Sequence, residues 1–545
     1  MINWFLNKTE RNGQKNMKKK IGAGLAVVVL AFLYYYFTLP AINIHESGFW
    51  FFLGAIVAIV LLMYGIRKRF RSVGEIKQNK VMKAGLFVIG AIVAVYAVGS
   101  LLSSPIINAN KYQQLVAPEE RDFTADIQEI SYNQIPLLDK DSAELLGNRK
   151  MGSMVDMVSQ FEVSNIYSQI NFQGQPYRVT PLVYASPIKW LTNQKEGIPA
   201  YIRIDMATQN TELVKLAEGI RYSESEYFNR NIYRHLRFKY PTYMFDQLSF
   251  EINDDGVPYW ICPVKKFNIG LFGGQTVGRV VLCNAVTGET TDYAIEDCPQ
   301  WVDRAYPADL LIELYNYHGM LKNGFFNSVL GQKGCLKTTD GYNYLALEDD
   351  VWVYTGITSV SGDRSNVGFV LMNQRTMETR YYSCAGAEEY SAMASAEGQV
   401  QNLKYTAAFP LLMNISGEPT YFMALKDGAG LVKKYAMVNI QKYQNVAIGD
   451  TVAECEKAYV KLLAANGISS DGSEAVIDTV TGKIERVAQA VIDGNSHFYI
   501  VLENKDLVFE ITVTEYPEIV KYDVGDTVTL EYTEGDPTCM VLKLE

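Results

Sequence analysis

Three uncharged apolar runs open the chain, at 21–40, 49–66 and 84–102. Each approaches the ~20 residues that a helix rising ~1.5 Å per residue needs to cross ~30 Å of hydrocarbon. A helix satisfies its own backbone hydrogen bonds, which lipid cannot do for it. The pattern predicts three transmembrane helices over 21–104, preceded by a tail at 1–20. A cleaved signal has a shorter apolar core ending in small residues, whereas the first run ends in Tyr34, Tyr35, Tyr36 and Phe37.

Beyond the polar stretch 103–123 the periodicity changes. Asp141 and Glu144 are spaced as a capping box for a short helix ending at Gly147. Alternating β-type runs follow at 159–163, 166–172 and 176–183, with Gln173 and Gly174 as a turn. Two short patterns then recur. One opens strands: Gly197, Pro199 and Tyr201; Gly256, Pro258 and Trp260; Gly417, Pro419 and Tyr421; and, more loosely, Gly341 and Tyr344. The other closes hairpins: Asp205, Thr208 and Asn210; Asn284, Thr287 and Glu289; Asn373, Thr376 and Glu378. Asx and Thr side chains bond amides inside such a loop and so close it without tertiary help. Helices are predicted between the hairpins at 223–238, at 299–316 and from a capping box at Thr451 and Glu454 to Asn466 and Gly467. Helix-plus-hairpin units in series imply α+β modules.

The run 259–293, with Val280 to Val286 leading into Thr287, Gly288 and Glu289, resembles the PepSY-type module of bacterial exported proteins. Asn284 stands where that family has Asp, and the other copies lack the Thr-Gly step. The resemblance covers about a third of the chain. It implies a cystatin-like helix-on-sheet fold and a non-catalytic role in inhibiting, chaperoning or localising other exported proteins.

The last stretch, 472–545, reads as five short strands (483–490, 498–502, 507–513, 527–532, 540–544) broken at Asp493 and Gly494 and at Gly525 and Asp526. That density without a helix predicts a small closed barrel of OB type. The expected organisation is therefore a 1–20 cytoplasmic tail, a 21–104 anchor, a 105–195 linker and first strand-rich segment, PepSY-like α+β modules over 196–330 and 331–468, and the OB-like barrel.

Charge adds direction. Lys18, Lys19 and Lys20 precede the first run and Arg67, Lys68, Arg69, Arg71, Lys77, Lys80 and Lys83 fill the second loop, while the first loop, 41–48, holds only Glu46. By the positive-inside bias the N-terminus is cytoplasmic and everything from about 105 onward is extracytoplasmic. That exterior carries 37 Lys and Arg against 57 Asp and Glu, which argues against nucleic acid as a partner. Its seven cysteines form no C-x-x-C pair and no disulfide framework, which fits a Gram-positive-type exterior.

No histidine pair has metal-ligand spacing, no serine elbow is present, and no metal or cofactor is expected. The glycine-rich stretch 270–278 lies between two strand patterns and reads as a hairpin loop. Two groups stand out as candidate binding residues. Arg230, Arg234, His235 and Arg237 form a stripe that is either paired with carboxylates internally or offered to anionic lipid headgroups or wall polymer. Asp349 and Asp350, with Trp352 and Tyr354, would suit a hard cation or a sugar, or else cap a turn. The expected function is a membrane-anchored, non-enzymatic binding, scaffolding or regulatory protein of the bacterial cell envelope, with the bilayer, other envelope proteins or anionic wall polymer as partners. The alternatives are a polysaccharide-acting enzyme, needing two carboxylates about 5–10 Å apart in an aromatic cleft, and an accessory subunit of a transport complex.

Overall fold

The structure, a computed structural model, describes residues 22, 24–68, 70, 73–127, 136, 138–359, 365–466, 468, 477–492, 495–513, 516–533 and 538–545. The expected tail at 1–20, Arg69, Arg71, Gly467 and the turn at Asp493 and Gly494 lie outside them.

Two N-terminal helices, Ser47–Lys68 and Lys80–Ser103, are long and apolar enough to cross a membrane, and a shorter apolar helix, Gly24–Thr38, precedes them. Their apolar side chains are turned outward. Leu61 is the buried residue of the first long helix, and Gly99 and Ser103 are those of the second. Leu61 packs where a Cβ on Gly85 would sit, so the missing side chain lets the two helices meet closely.

The body repeats one unit four times: a helix, then a four-stranded antiparallel meander. Helix Lys140–Gly152 precedes sheet I (Ser168–Phe172, Gln175–Tyr184, Ile198–Asp205, Thr211–Ile220). Helix Ile232–Lys239 precedes sheet II (Ser249–Ile252, Pro258–Ile269, Gly273–Asn284, Thr290–Ala294). Helix Ala308–Met320 precedes sheet III (Asn343–Leu347, Asp350–Ser359, Ser365–Asn373, Thr379–Ala387), and helix Glu389–Gln399 precedes sheet IV (Leu411–Ile415, Glu418–Lys426, Val432–Asn439, Val446–Gly449). Short strands extend sheets I, III and IV; Glu119–Arg121 joins the edge of sheet III in parallel.

The repeat is chemical as well as topological. In sheets I, II and III the third and fourth strands are joined by the same turn. Asp205, Asn284 and Asn373 each accept with Oδ1 from the amides two and three residues on, at 2.8–2.9 Å. Thr208, Thr287 and Thr376 then accept from the amide two further on, at 3.2–3.3 Å. The residue between them has positive φ in every copy: Gln209, Gly288 and Met377. In sheets I, III and IV the first and second strands are joined by two residues of positive φ, Gln173 and Gly174, Glu348 and Asp349, Ser416 and Gly417, the hairpin geometry that matches strand twist.

These turns align the units and correct two expectations. The in-register counterpart of Gly417 and Pro419 in sheet I is Gly174 and Pro176; Gly197 and Pro199 open the third strand. The boundary expected at 195/196 falls inside sheet I, whose second and third strands pair across it. Helix limits also move. The helix expected at 223–238 begins at Ile232 behind the cap Asn231, that expected at 299–316 spans Ala308–Met320, and the first is capped by Asp139 and runs to Gly152. The capping box of Thr451 and Glu454 forms as expected at the head of Val452–Ala465.

Period-two alternation divides the sheets between cores. Trp260, Cys262, Val281 and Cys283 of sheet II face the core shared with sheet I, while Ile261, Val280 and Leu282 face the helix Ala308–Met320 and sheet III. In sheet III, Val353, Val370 and Met372 share that second core, and Trp352, Tyr354, Phe369 and Leu371 face sheet IV. Sheets II and III are covered on both faces, which is why their strands read as near-continuous apolar runs.

The closed barrel comprises Ile477–Ile492, Asn495–Leu502, Val508–Thr512, Cys539–Leu544 and Thr527–Thr533, paired in that order. It fills its own core with Ile484, Ile500, Phe509, Ile511, Leu530 and Val541. Glu510 joins it to the body by accepting from Lys457 at 2.7 Å while also meeting His497 at 2.8 Å. All seven cysteines are buried, and no disulfide joins them.

Candidate functional site

The arginine stripe does not form one ridge. Arg230 precedes the helix and donates to the Gln194 carbonyl at 2.5 Å. Arg234 donates to the Phe228 carbonyl at 2.9 Å and lies 4.3 Å over the Tyr36 ring. His235 meets the Gly288 carbonyl at 2.8 Å, and burial lowers its pKa. Arg237 donates to the carbonyls of Leu39 at 2.9 Å and Tyr243 at 2.5 Å. The expected internal carboxylate partners are replaced by main-chain carbonyls, and two of the arginines reach the N-terminal apolar segment.

That contact belongs to a larger seat. The Ile42 amide donates to the Pro241 carbonyl at 2.7 Å, and His45 Nδ1 meets the Leu271 carbonyl at 2.8 Å. At the far end of the second long helix, Ser103 Oγ accepts from the amides of Leu271 and Phe272, and Tyr112 donates to the Ser103 carbonyl at 2.7 Å. The glycine-rich stretch is the hairpin tip that makes this approach possible. A Cβ on Gly273 would lie 2.2 Å from the Ser103 carbonyl oxygen, and one on Gly270, at φ +61°, 2.4 Å from Ser103 Oγ. Loop 39–46 and Ser103, both at the same ends of their helices, thus dock on sheet II and its preceding helix.

The acidic and aromatic group is also spent internally. Asp350 forms a bidentate pair with Arg375 (2.7 and 2.8 Å) and accepts from Asn373. Asp349, at φ +63° in the hairpin, accepts from Asn171 at 3.1 Å. Trp352 and Tyr354 are fully buried; the indole donates to the Leu347 carbonyl and the phenol to that of Pro410. The two carboxylates are thus spent on side-chain partners rather than on backbone caps, and the two rings are buried away from them.

Sequence reading missed two polar groups. Glu251 and Asp303 are fully buried neighbours held by amides: Glu251 accepts from Asp303 N and Arg304 N at 2.9 and 3.1 Å, and Asp303 from Asn171 N at 2.8 Å. Burial raises both pKa values, Glu251 to about 7, and each carboxylate raises the other's cost of ionising.

The second group is a cavity of about 370 Å³ where all four units meet. Gln169 and Arg178 reach it from sheet I, Gln247 and Arg304 from either side of sheet II, Tyr342, Tyr344 and Gln374 from sheet III, and Phe409 from the approach to sheet IV. Arg178 is only 4% exposed. Its bonds are long, 3.4 Å to the Leu138 carbonyl and 3.5 Å to Gln169 Oε1, and no described carboxylate lies within ion-pair distance. Burial lowers its pKa. Neighbouring Asp139 is engaged by Lys426. The signal for this site was an Arg between Tyr177 and Val179 within a strand otherwise built for burial.

No protein-family model matches this chain, and no curated protein matches it in sequence.

Proposed function

We propose that this chain is a membrane-anchored, extracytoplasmic, non-enzymatic binding and regulatory protein of the bacterial cell envelope. Three N-terminal helices would hold four PepSY-like units and an OB-like barrel outside the membrane. The observation that carries this reading is the seat on sheet II. The loop that lacks Lys and Arg (41–48) and the helix end at Ser103 both dock on the body, while the basic loop lies at the opposite ends of the helices. Charge bias and docking thus agree on one orientation. The outward-turned apolar surface of the helices, with Phe87 77% and Ile66 68% exposed, needs a hydrocarbon solvent rather than water.

A PepSY-type assignment is supported by the helix-then-meander order and by Thr287, Gly288 and Glu289 closing the hairpin of sheet II. An OB-like assignment is supported by the parallel pairing of the third and last barrel strands. A membrane surface also suits the cleft of about 500 Å³ between Phe32 and Tyr36 on one side and Arg234, His235 and Lys239 on the other, where basic groups meet aromatic rings. Against the polysaccharide-enzyme alternative, the buried carboxylate pair is held by backbone amides and Asp350 by Arg375.

Alkaline carbonate washing tests the anchor. The full chain should stay with the membrane and be released by detergent; release by carbonate alone would refute the anchoring.

A further inference from the structure

Buried donors without acceptors collect around the cavity at the junction of the four units. Gln169 Nε2, Tyr167 Oη and Arg304 Nε have no hydrogen-bond partner, and the residues that carry them all line this space. Gln169 and Tyr167 are 6% and 7% exposed. Arg178 adds a guanidinium with only two bonds at the limit of hydrogen-bond length. Native proteins leave few such groups unsatisfied, and a buried charge is costly when the nearest carboxylates, here Asp139 and Asp141, stand outside ion-pair contact. An arginine does not escape by losing its proton. The exposed Lys140, Asp141 and Asp309 lie at the rim. The ring-bearing walls are Tyr342 and Tyr344, in edge contact at 5.6 Å, with Phe409.

We propose that this cavity is a binding site for a small organic anion whose compact oxyanion head, carboxylate or phosphate, is held by Arg178, Gln169 and Arg304. The donors are matched by acceptor oxygens, the single fully buried cation by one negative charge, and the aromatic wall by the ligand's carbon skeleton. Because sheets I and III and the segments flanking sheets II and IV all contribute, occupancy ties the four units to one another. The site does not depend on the membrane reading, since none of its residues lies in the apolar helices.

The test uses the full chain in detergent, titrated at constant ionic strength with inorganic phosphate, acetate, benzoate or glycine, read by calorimetry and thermal unfolding. At least one probe should bind and raise Tm by about 2 °C or more, as a ligand specific to the folded state does. Phosphate binding alone identifies a phosphate head; acetate or benzoate binding identifies a carboxylate. Arg178→Met should weaken that binding at least ten-fold. Gln169→Leu, which leaves the charge in place, should weaken it several-fold and covers the case in which Arg178→Met does not fold. No binding by any probe, or binding unchanged in both variants, overturns the proposal.

Discussion

Arg237 joins the N-terminal apolar segment to the body through hydrogen bonds to main-chain carbonyls. Its guanidinium spans from the Leu39 carbonyl, at the end of the first apolar segment, to the Tyr243 carbonyl, with Tyr240 at 3.3 Å. The side chain is 9% exposed, and burial lowers its pKa. Arg237→Met would strand two carbonyls that now accept charged bonds worth roughly 1.5–3 kcal/mol each. Removing a desolvated charge returns part of that, so the net loss should be about 2–4 kcal/mol. Arg237→Lys keeps the charge but cannot span carbonyls in a planar fork, and should lose about half as much. Denaturant unfolding of the full chain in micelles measures the total. Hydrogen exchange locates it, because the Ile42 amide, bonded to Pro241, should lose protection while strands in sheet IV keep theirs. A methionine variant within about 0.5 kcal/mol of the parent, with Ile42 still protected, would refute the argument.

Other expectations follow from the same contacts. Gly273→Val would drive a side chain into Ser103 and Tyr112 and should release the helix end from sheet II; crosslinking between cysteines placed at Leu102 and Phe272 should fall sharply, and unchanged crosslinking would contradict the docking. Matched turns should respond alike: Asp205→Ala and Asn284→Ala should each cost about 1 kcal/mol in chemical unfolding, from loss of the one side-chain oxygen that accepts from two amides, and a cost near zero in either would deny the turn its role. Glu251 titrates with its folded pKa raised to about 7, above the unfolded carboxyl range, so the folded state holds the extra proton. The associated stability is present below about pH 4.5 and lost as pH rises through about 7, a change on the order of 3 kcal/mol at most. Glu251→Gln should flatten that slope in melts taken from pH 5 to 8; an unchanged slope would assign it to other groups.

What was legible in the sequence was local. The capping box at Thr451 and the Asx–Thr turns draw on bonds between residues a few positions apart, so their residue types signal them directly, and the barrel strands show in their own alternation. Register was less legible. Glycine followed two residues later by proline opens a strand at both Gly174 and Gly197, and only pairing across the sheet shows which copy matches Gly417. The helix before sheet II was read too long because the positive φ of Phe228 and the cap at Asn231 break a pattern whose charge spacing looked continuous. Least legible were the contacts that join distant stretches. Ser103 meets Leu271, Arg237 meets Leu39, and the cavity around Arg178 draws on residues from 139 to 409. Composition marks such side chains as polar; only the fold shows that their partners are carbonyls, or that they line one cavity.

The orientation of the body relative to the membrane is the claim on which the functional reading rests, and the buried state of all seven native cysteines makes it directly measurable. A cysteine at Val155, which is 82% exposed on the body, and one at the exposed Gln78, at the end of the short helix Val73–Gln78 between the two long apolar helices, each give a single reactive thiol. With a membrane-impermeant thiol reagent on intact cells, Val155→Cys should label at once and Gln78→Cys only after permeabilisation. Labelling of Gln78→Cys but not Val155→Cys in intact cells would place the body in the cytoplasm and contradict the account.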